Sequence, residues 1–254
     1  EKTISFRNLH ISNGWFDSSV SFGEPGFEER ETIENGIKTS SKSGFTDIIL
    51  NPNTNPVIDS HSSVSHIYKI THNSPTKVHV LGSLTKQSLG DEMAELYDMH
   101  VAGAIAFGDY KKTLNNPNIM RIALDYVQSF NGLIMSYPND YNLSKEGHMH
   151  EGKISLNLGL KGIPEIAETL ILSRDLEILE YTNGKIHVPF ISCEKSLNMI
   201  RSAKKKGLKV TCGVSIAHLF FTEDSLMSYN PNFKIFPPLR TKKDREALRN
   251  GLLE

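Results

Sequence analysis

Ser19 and Ser21 stand two residues apart in the run Gly14-Trp15-Phe16-Asp17-Ser18-Ser19-Val20-Ser21-Phe22-Gly23-Glu24-Pro25-Gly26. Residues 15–22 read as a short buried strand opening into a Gly/Pro loop. Alternate strand residues face one side, so the two hydroxyls are expected to project together at the strand's end. Other chemistry-bearing residues are scattered. His148 and His150 have the H-x-H spacing of a metal site, but they fall in an expected loop and read as a solvated surface pair. His187 and His218 read as hydrogen-bonded core or pocket histidines. Cys193 lies between Ser192 and Glu194 with no histidine placed by sequence to activate it. Two cysteines are too few for a disulfide framework or a thiolate zinc site. No acid/base pair stands out.

These residues must be positioned by an alternating chain. Apolar runs at 15–22, 46–50, 77–84, 103–107, 133–136, 186–191 and 209–214 read as strands. Between and after them, helices are expected over 28–42, 60–71, 91–101, 118–130, 163–181, 196–206 and 243–253. Seven strand–helix alternations without a Gly-rich phosphate loop favour a TIM-type (β/α)8 barrel over a doubly wound sheet, with the eighth strand expected beyond Glu254. The 254 residues suit one barrel domain, read as part of a longer chain. Hydrophobic content of 38% and charged content of 22% are those of an ordinary globular protein. A net charge of −1 provides no general attraction for nucleic acid or anionic membrane. Lys204-Lys205-Lys206 closes a helix, where its charge suits the helix dipole. No apolar run reaches the roughly 18 residues of a membrane span, and a cytoplasmic location is expected.

Several ordered motifs carry a resemblance. The opening strand resembles D-x-H-V-H-F-R-E-P-G; Leu50-Asn51-Pro52-Asn53-Thr54-Asn55-Pro56 resembles M-P-N-T-x-P; and 103–110 (Gly-Ala-Ile-Ala-Phe-Gly-Asp-Tyr) resembles G-A-V-A-F-S-D-D. Residues 147–152 resemble G-x-M-N-E-G, 158–164 are close to L-G-L-x-G-I-P, and Pro237-Pro238-Leu239-Arg240 matches N-P-P-L-R after its first position. Taken in order, they resemble the bacterial class I dihydroorotases of the amidohydrolase superfamily, over nearly the full length.

The resemblance implies a barrel enzyme of pyrimidine biosynthesis. Its zinc polarises a ring carbonyl and supplies hydroxide in the interconversion of carbamoyl aspartate and dihydroorotate. Carried over one residue at a time, the family's metal ligands fall on Ser19, Ser21, Tyr110, Tyr137 and Phe190. None of these is a suitable zinc ligand at neutral pH. Asp109 survives from the D-D-G motif, followed by Tyr110-Lys111. The substrate arginine falls on Gly23 and the asparagine before P-P-L-R on Phe236, while Asn53 is retained. Gly23, Asn53, Asp109 and Phe236 are therefore the expected lining of any remaining ligand pocket. The resemblance implies zinc for the family, yet the ligand positions here call for no cofactor. The expected function is a dihydroorotase-like protein without catalysis, structural or regulatory in role. A homodimer and aspartate transcarbamoylase are the partners implied. The alternative is an active cyclic amidohydrolase, acting on dihydroorotate, hydantoin or allantoin-type rings through a non-standard site. Tyr137 and Phe190 are large enough to fill the volume of a lost metal and its ligands.

Overall fold

The structure, a computed structural model, describes residue 3 and residues 5–254. Its main sheet contains β1 (Trp15–Val20), β2 (Phe45–Leu50), β3 (Lys77–Gly82), β4 (Ala106–Phe107) and β5 (Ile134–Met135). Two further strands, β6 (Met149–His150) and β7 (Gly162–Ile163), pair with each other in parallel, apart from the main sheet. The main sheet continues with β8 (Ile186–Val188) and β9 (Val210–Cys212). Its seven strands are parallel and lie in the order β1-β2-β3-β4-β5-β8-β9, without reversal. A doubly wound sheet reverses its strand order at a switch point. Right-handed crossovers that always step the same way instead roll the sheet into a barrel with helices outside. Among the described residues, β1 and β9 each pair with one neighbour only.

The packing follows the pleat. On β2 and β3, Ile48, Leu50, Val78 and Val80 face the helices and join the main core. The alternate residues Ile49 and Leu81 join Ala106 and Met135 in a small separate cluster, as expected of the opposite, barrel-interior face. On that face nearer the strand starts, His79 Nε2 lies 2.9 Å from Asp47 Oδ1 and His187 Nδ1 lies 2.8 Å from Thr211 Oγ1. His187 is thus the hydrogen-bonded interior histidine expected.

The covering helices are α1 (Ile33–Lys42), α2 (His61–Thr71), α3 (Leu96–Val101), α4 (Pro117–Val127), α5 (Tyr141–Ser144), α6 (Lys153–Leu158), α7 (Ile166–Thr182), α8 (Glu194–Lys205), α9 (Ile216–Phe220) and α10 (Lys242–Gly251). Several differ from the sequence-based spans, each for a local reason. The helix expected over 28–42 begins at Ile33, because Thr32 caps it with an extended backbone and the Glu24 carboxylate takes the Ile33 N–H at 2.7 Å. The helix expected over 91–101 keeps only its last six residues, because Met93 bridges to Thr85 and the Glu92 carbonyl accepts from Lys86. The helix expected over 163–181 starts at Ile166, Ile163 being spent in β7.

The opening strand departs furthest from expectation. Trp15 and Phe16, expected to be buried, are 66% and 57% exposed. Among the described residues β1 pairs only with β2, and it ends at Val20.

Candidate functional site at the barrel mouth

The C-terminal strand ends carry the residues singled out above. Ser19, near the end of β1, and Ser21, just beyond it, lean the same way, toward the exit of β2. Asn51 Nδ2 donates to Ser19 Oγ at 3.1 Å, and Asn53 Nδ2 donates to Ser21 Oγ at 2.6 Å. Two Ser–Asn pairs, each spanning 32 residues, therefore tie the first strand to the second where the resemblance places two metal-binding histidines. Asn51 also donates to the Val20 carbonyl at 2.9 Å. Asn53 is engaged by this pairing, but its Oδ1 is buried without a partner.

Beyond β4, β5 and β8 the remaining ligand positions meet as one aromatic cluster. Tyr137 sits at its centre and is 7% exposed. The rings of Tyr110 and Phe190 stand edge-on to it at 6.1 and 5.9 Å, and Phe236 lies nearly parallel at 6.3 Å. The Tyr137 hydroxyl donates to the Phe236 carbonyl at 3.2 Å. Burial first, then the nearby Tyr110 and Glu168, hold this phenol above its ordinary range. The phenol therefore keeps its proton more firmly than a free tyrosine does. Tyr110 and Lys111 both adopt left-handed backbone, with φ of 28° and 47°. Non-glycine residues hold that conformation only when the surroundings impose it.

Asp109 points elsewhere. Its Oδ1 accepts from Ser83 Oγ at 2.8 Å and from the Thr85 N–H at 2.9 Å, and its Oδ2 accepts from Thr85 Oγ1. Burial pushes its carboxyl above the usual carboxylate range, against the opposing pull of these hydrogen bonds. It lines a cavity of about 320 Å³ together with Lys111, Lys112, Thr113 and Asn139. Of the expected pocket residues Gly23, Asn53, Asp109 and Phe236, Asp109 alone lines this cavity, and Phe236 belongs to the aromatic cluster. Gly23 is closed off by its own loop. Its N–H donates to the Glu31 carbonyl and its carbonyl accepts from Phe27, both at 2.9 Å. A Cβ added at Gly23 would fall 1.9 Å from the Phe27 carbonyl oxygen, so no arginine fits there without rebuilding the turn.

Beneath the cluster lies a buried polar network that sequence reasoning missed. Glu168 of α7 and Arg240 are each 3% exposed. Glu168 accepts from the Ser192 N–H at 3.0 Å, from Ser196 Oγ at 2.5 Å and from Ser192 Oγ. Arg240 donates from Nε to Ser192 Oγ at 3.0 Å and from Nη1 to the Ile163 carbonyl at 2.8 Å; Nη1 also lies 3.0 Å from His150 Nδ1. Arg240 was visible only as the last letter of a motif. Glu168 is one of several charged residues in α7, with Arg174, Asp175, Glu177 and Glu180, and nothing in the pattern sets it apart.

His150 corrects the surface-pair reading. It lies in β6, half-buried, and burial together with Arg240 brings its imidazole down to about 4. His148 is exposed beside Lys234. His218 is buried, with Nε2 3.2 Å from the Pro238 carbonyl. Cys193 is the N-cap of α8, and burial beside Glu168 pushes its thiol up to about 12, far from a reactive thiolate.

The family's zinc does not fit this donor set. The ligand positions offer two serine hydroxyls engaged with asparagines, the phenols of Tyr110 and Tyr137, and the phenyl ring of Phe190. Among the described residues, no group of three or more His, Cys, Asp or Glu side chains is arranged to hold a metal ion. In the same residues, no helix is long and apolar enough to cross a membrane.

Comparison with known proteins agrees with the motifs. The chain is 39% identical over 241 residues to a dihydroorotase of Pelotomaculum thermopropionicum, covering 95% of this chain and 56% of that one. It is 38% identical over 253 residues to a dihydroorotase of Syntrophus aciditrophicus, covering 99% and 59%. It thus spans little more than half the length of these curated relatives. Among solved structures, an L-hydantoinase (dihydropyrimidinase) from Arthrobacter aurescens superposes with a TM-score of 0.77 at 17% identity, over 93% of this chain and 54% of that one. A dihydroorotase from Saccharomyces cerevisiae in complex with 5-fluoroorotic acid gives 0.69 at 19% identity, over 94% and 65%. At such identities these two show the fold alone, a TIM-type barrel. The family model described as dihydro-orotase-like matches residues 10–196. By that match the chain belongs to the dihydro-orotase-like family.

Proposed function

We propose that this chain is a non-catalytic member of its family, a pseudoenzyme whose barrel serves a structural or regulatory role. The observation that carries the reading is the aromatic cluster. Tyr110, Tyr137 and Phe190, at three positions where the resemblance expects zinc ligands, pack with Phe236, at a position where it expects a substrate contact. Four replacements that fit one another describe a repacked centre rather than four unrelated losses. The Ser–Asn pairs at the first strand and the closed turn at Gly23 support the same reading. The reading treats residues 1–254 as one cytoplasmic barrel domain of a longer protein. A second copy of the chain or an aspartate transcarbamoylase is its partner, as the resemblance implies.

One observation favours a second reading, an active cyclic amidohydrolase with a non-standard site. Asp109, with its raised carboxyl, borders a cavity that also presents Lys111 and Lys112. One measurement separates the two. Protein purified without chelator is assayed for zinc and for turnover of dihydroorotate, hydantoin and allantoin. The non-catalytic reading expects neither stoichiometric zinc nor turnover. Turnover abolished by Asp109→Asn would establish the second reading instead.

A further inference from the structure

Residues 221–241 leave α9 and return to α10 through two short 3₁₀ turns, Glu223–Ser228 and Pro231–Phe233. On the way they cross the C-terminal ends of the strands. Phe236 lies over Tyr137 beyond β5, the Pro238 carbonyl faces His218 beyond β9, and Arg240 reaches Ser192 beyond β8. The segment carries a small core of its own: Leu226 and Leu239 are buried with Met149, and Phe233 and Ile235 pack against them. It is also fastened at its rim, where the Tyr229 hydroxyl donates to the Leu158 carbonyl at 2.8 Å and the Glu223 N–H to the Arg240 carbonyl at 2.9 Å.

We propose that Tyr137 is the latch of a strap formed by residues 221–241, holding it shut across the barrel mouth. The latch rests on the non-catalytic reading, because a working ring hydrolase must admit its substrate at this place. Tyr137 is the one side chain that touches all three other rings of the cluster. Those rings come from the exits of β4 and β8 and from the strap itself. The hydroxyl adds a hydrogen bond to the strap backbone. Two of the three contacts are edge-on and the third is nearly parallel, geometries in which aromatic pairs attract beyond the area they bury. A side chain so enclosed cannot be shortened without leaving a cavity the size of the lost ring, and apolar cavities of that kind bind small aromatic molecules.

The test uses the 254-residue chain, with p-cresol as the probe. Tyr137→Ala is expected to lower Tm, and p-cresol at millimolar concentration is expected to restore part of the loss while leaving wild type unmoved. In the same variant, amide exchange over residues 233–240 is expected to rise about tenfold or more, as local opening becomes easier. Tyr137→Phe, which keeps the ring, is expected to show neither a p-cresol response nor such a rise. An equal p-cresol response in wild type would mean an already open mouth and would overturn the latch. So would unchanged exchange over 233–240 in Tyr137→Ala. Should Tyr137→Ala fail to fold, Phe236→Leu gives the same exchange readout from the strap side, with the same outcomes decisive. Zinc-dependent turnover by wild type would sink the non-catalytic reading, whereas these exchange and rescue data judge the latch by itself.

Discussion

Replacing Arg240 by methionine removes a guanidinium from the buried network and leaves its partners behind. The Ser192 hydroxyl, the Ile163 carbonyl and His150 each lose a donor within 3.0 Å. Glu168 loses its nearest cation, whose Nη2 stands 3.9 Å from Oε2 and acts through the intervening Ser192 hydroxyl. Breaking a buried pair from one side costs about 3–5 kcal/mol, because the remaining charge is stranded away from water. In a chain of this size 1 kcal/mol corresponds to roughly 2–4 °C. Arg240→Met is therefore expected to melt roughly 6–20 °C below wild type by circular dichroism. Glu168→Gln should also destabilise, while Glu168→Gln/Arg240→Met should cost less than the sum of the single changes, with a coupling of about 1–3 kcal/mol in urea unfolding. A separate readout follows His150. Burial, the larger cause, and Arg240 together hold its imidazole at about 4. In Arg240→Met an NMR titration should place it higher, yet still below the ordinary histidine range. Single variants that each lose less than about 1 kcal/mol, or costs that add within about 0.5 kcal/mol, would refute the network as a coupled unit.

Two further predictions concern the mouth. Gly23→Ala and Gly23→Arg should both destabilise, by about 1–3 kcal/mol or more, since any Cβ meets the Phe27 carbonyl. Restoring the family's arginine at wild-type Tm would show that the turn is softer than its hydrogen bonds suggest. The raised carboxyl of Asp109 sets a pH dependence whose sign follows from linkage. Its folded-state proton is held more tightly than in the unfolded chain. Its contribution is therefore complete below the unfolded value of about 3.9 and is lost as pH rises through the higher folded value. Asp109→Asn, which cannot ionise, should remove this part of the acid-side slope in urea unfolding at a series of pH values. An unchanged slope would count against it.

Much of this molecule was legible in the sequence, and what was missed has a common character. The strand–helix alternation was visible because each strand faces a helix layer on one side, so Ile48, Leu50, Val78 and Val80 mark it at period two. The helix over 28–42 was read too long because its charged start suits a first turn; only the Glu24 side chain, folded back onto the Ile33 N–H, reveals the later start. β6 and β7 are two residues each and have no period to read. At the site, the residue types at Ser19, Tyr110, Tyr137 and Phe190 were plain, and so was their unfitness for zinc. Their new partners were not. The Tyr137–Phe236 contact joins residues 99 apart, and the Gly23 clash depends on how one loop closes. Trp15 and Phe16 looked buried because they are large and apolar, but burial depends on what lies beside a strand.

Three strand exits share a device with a consequence for how the barrel comes apart. Ser83 after β3, Ser136 after β5 and Ser192 after β8 each donate to a carboxylate, Asp109, Asp175 and Glu168 respectively; Asp109 and Glu168 come from a neighbouring strand–helix unit, and Asp175 from the helix that leads on from β5. All three carboxylates are buried. Peeling away one strand–helix unit would strip a carboxylate of its donors while the remaining structure still shielded it from water, and such a state is costly. Partial disassembly is thus disfavoured at two places around the ring, Ser83–Asp109 and Ser192–Glu168. Cooperativity in this chain is written into serine hydroxyls at its strand ends as well as into its apolar core.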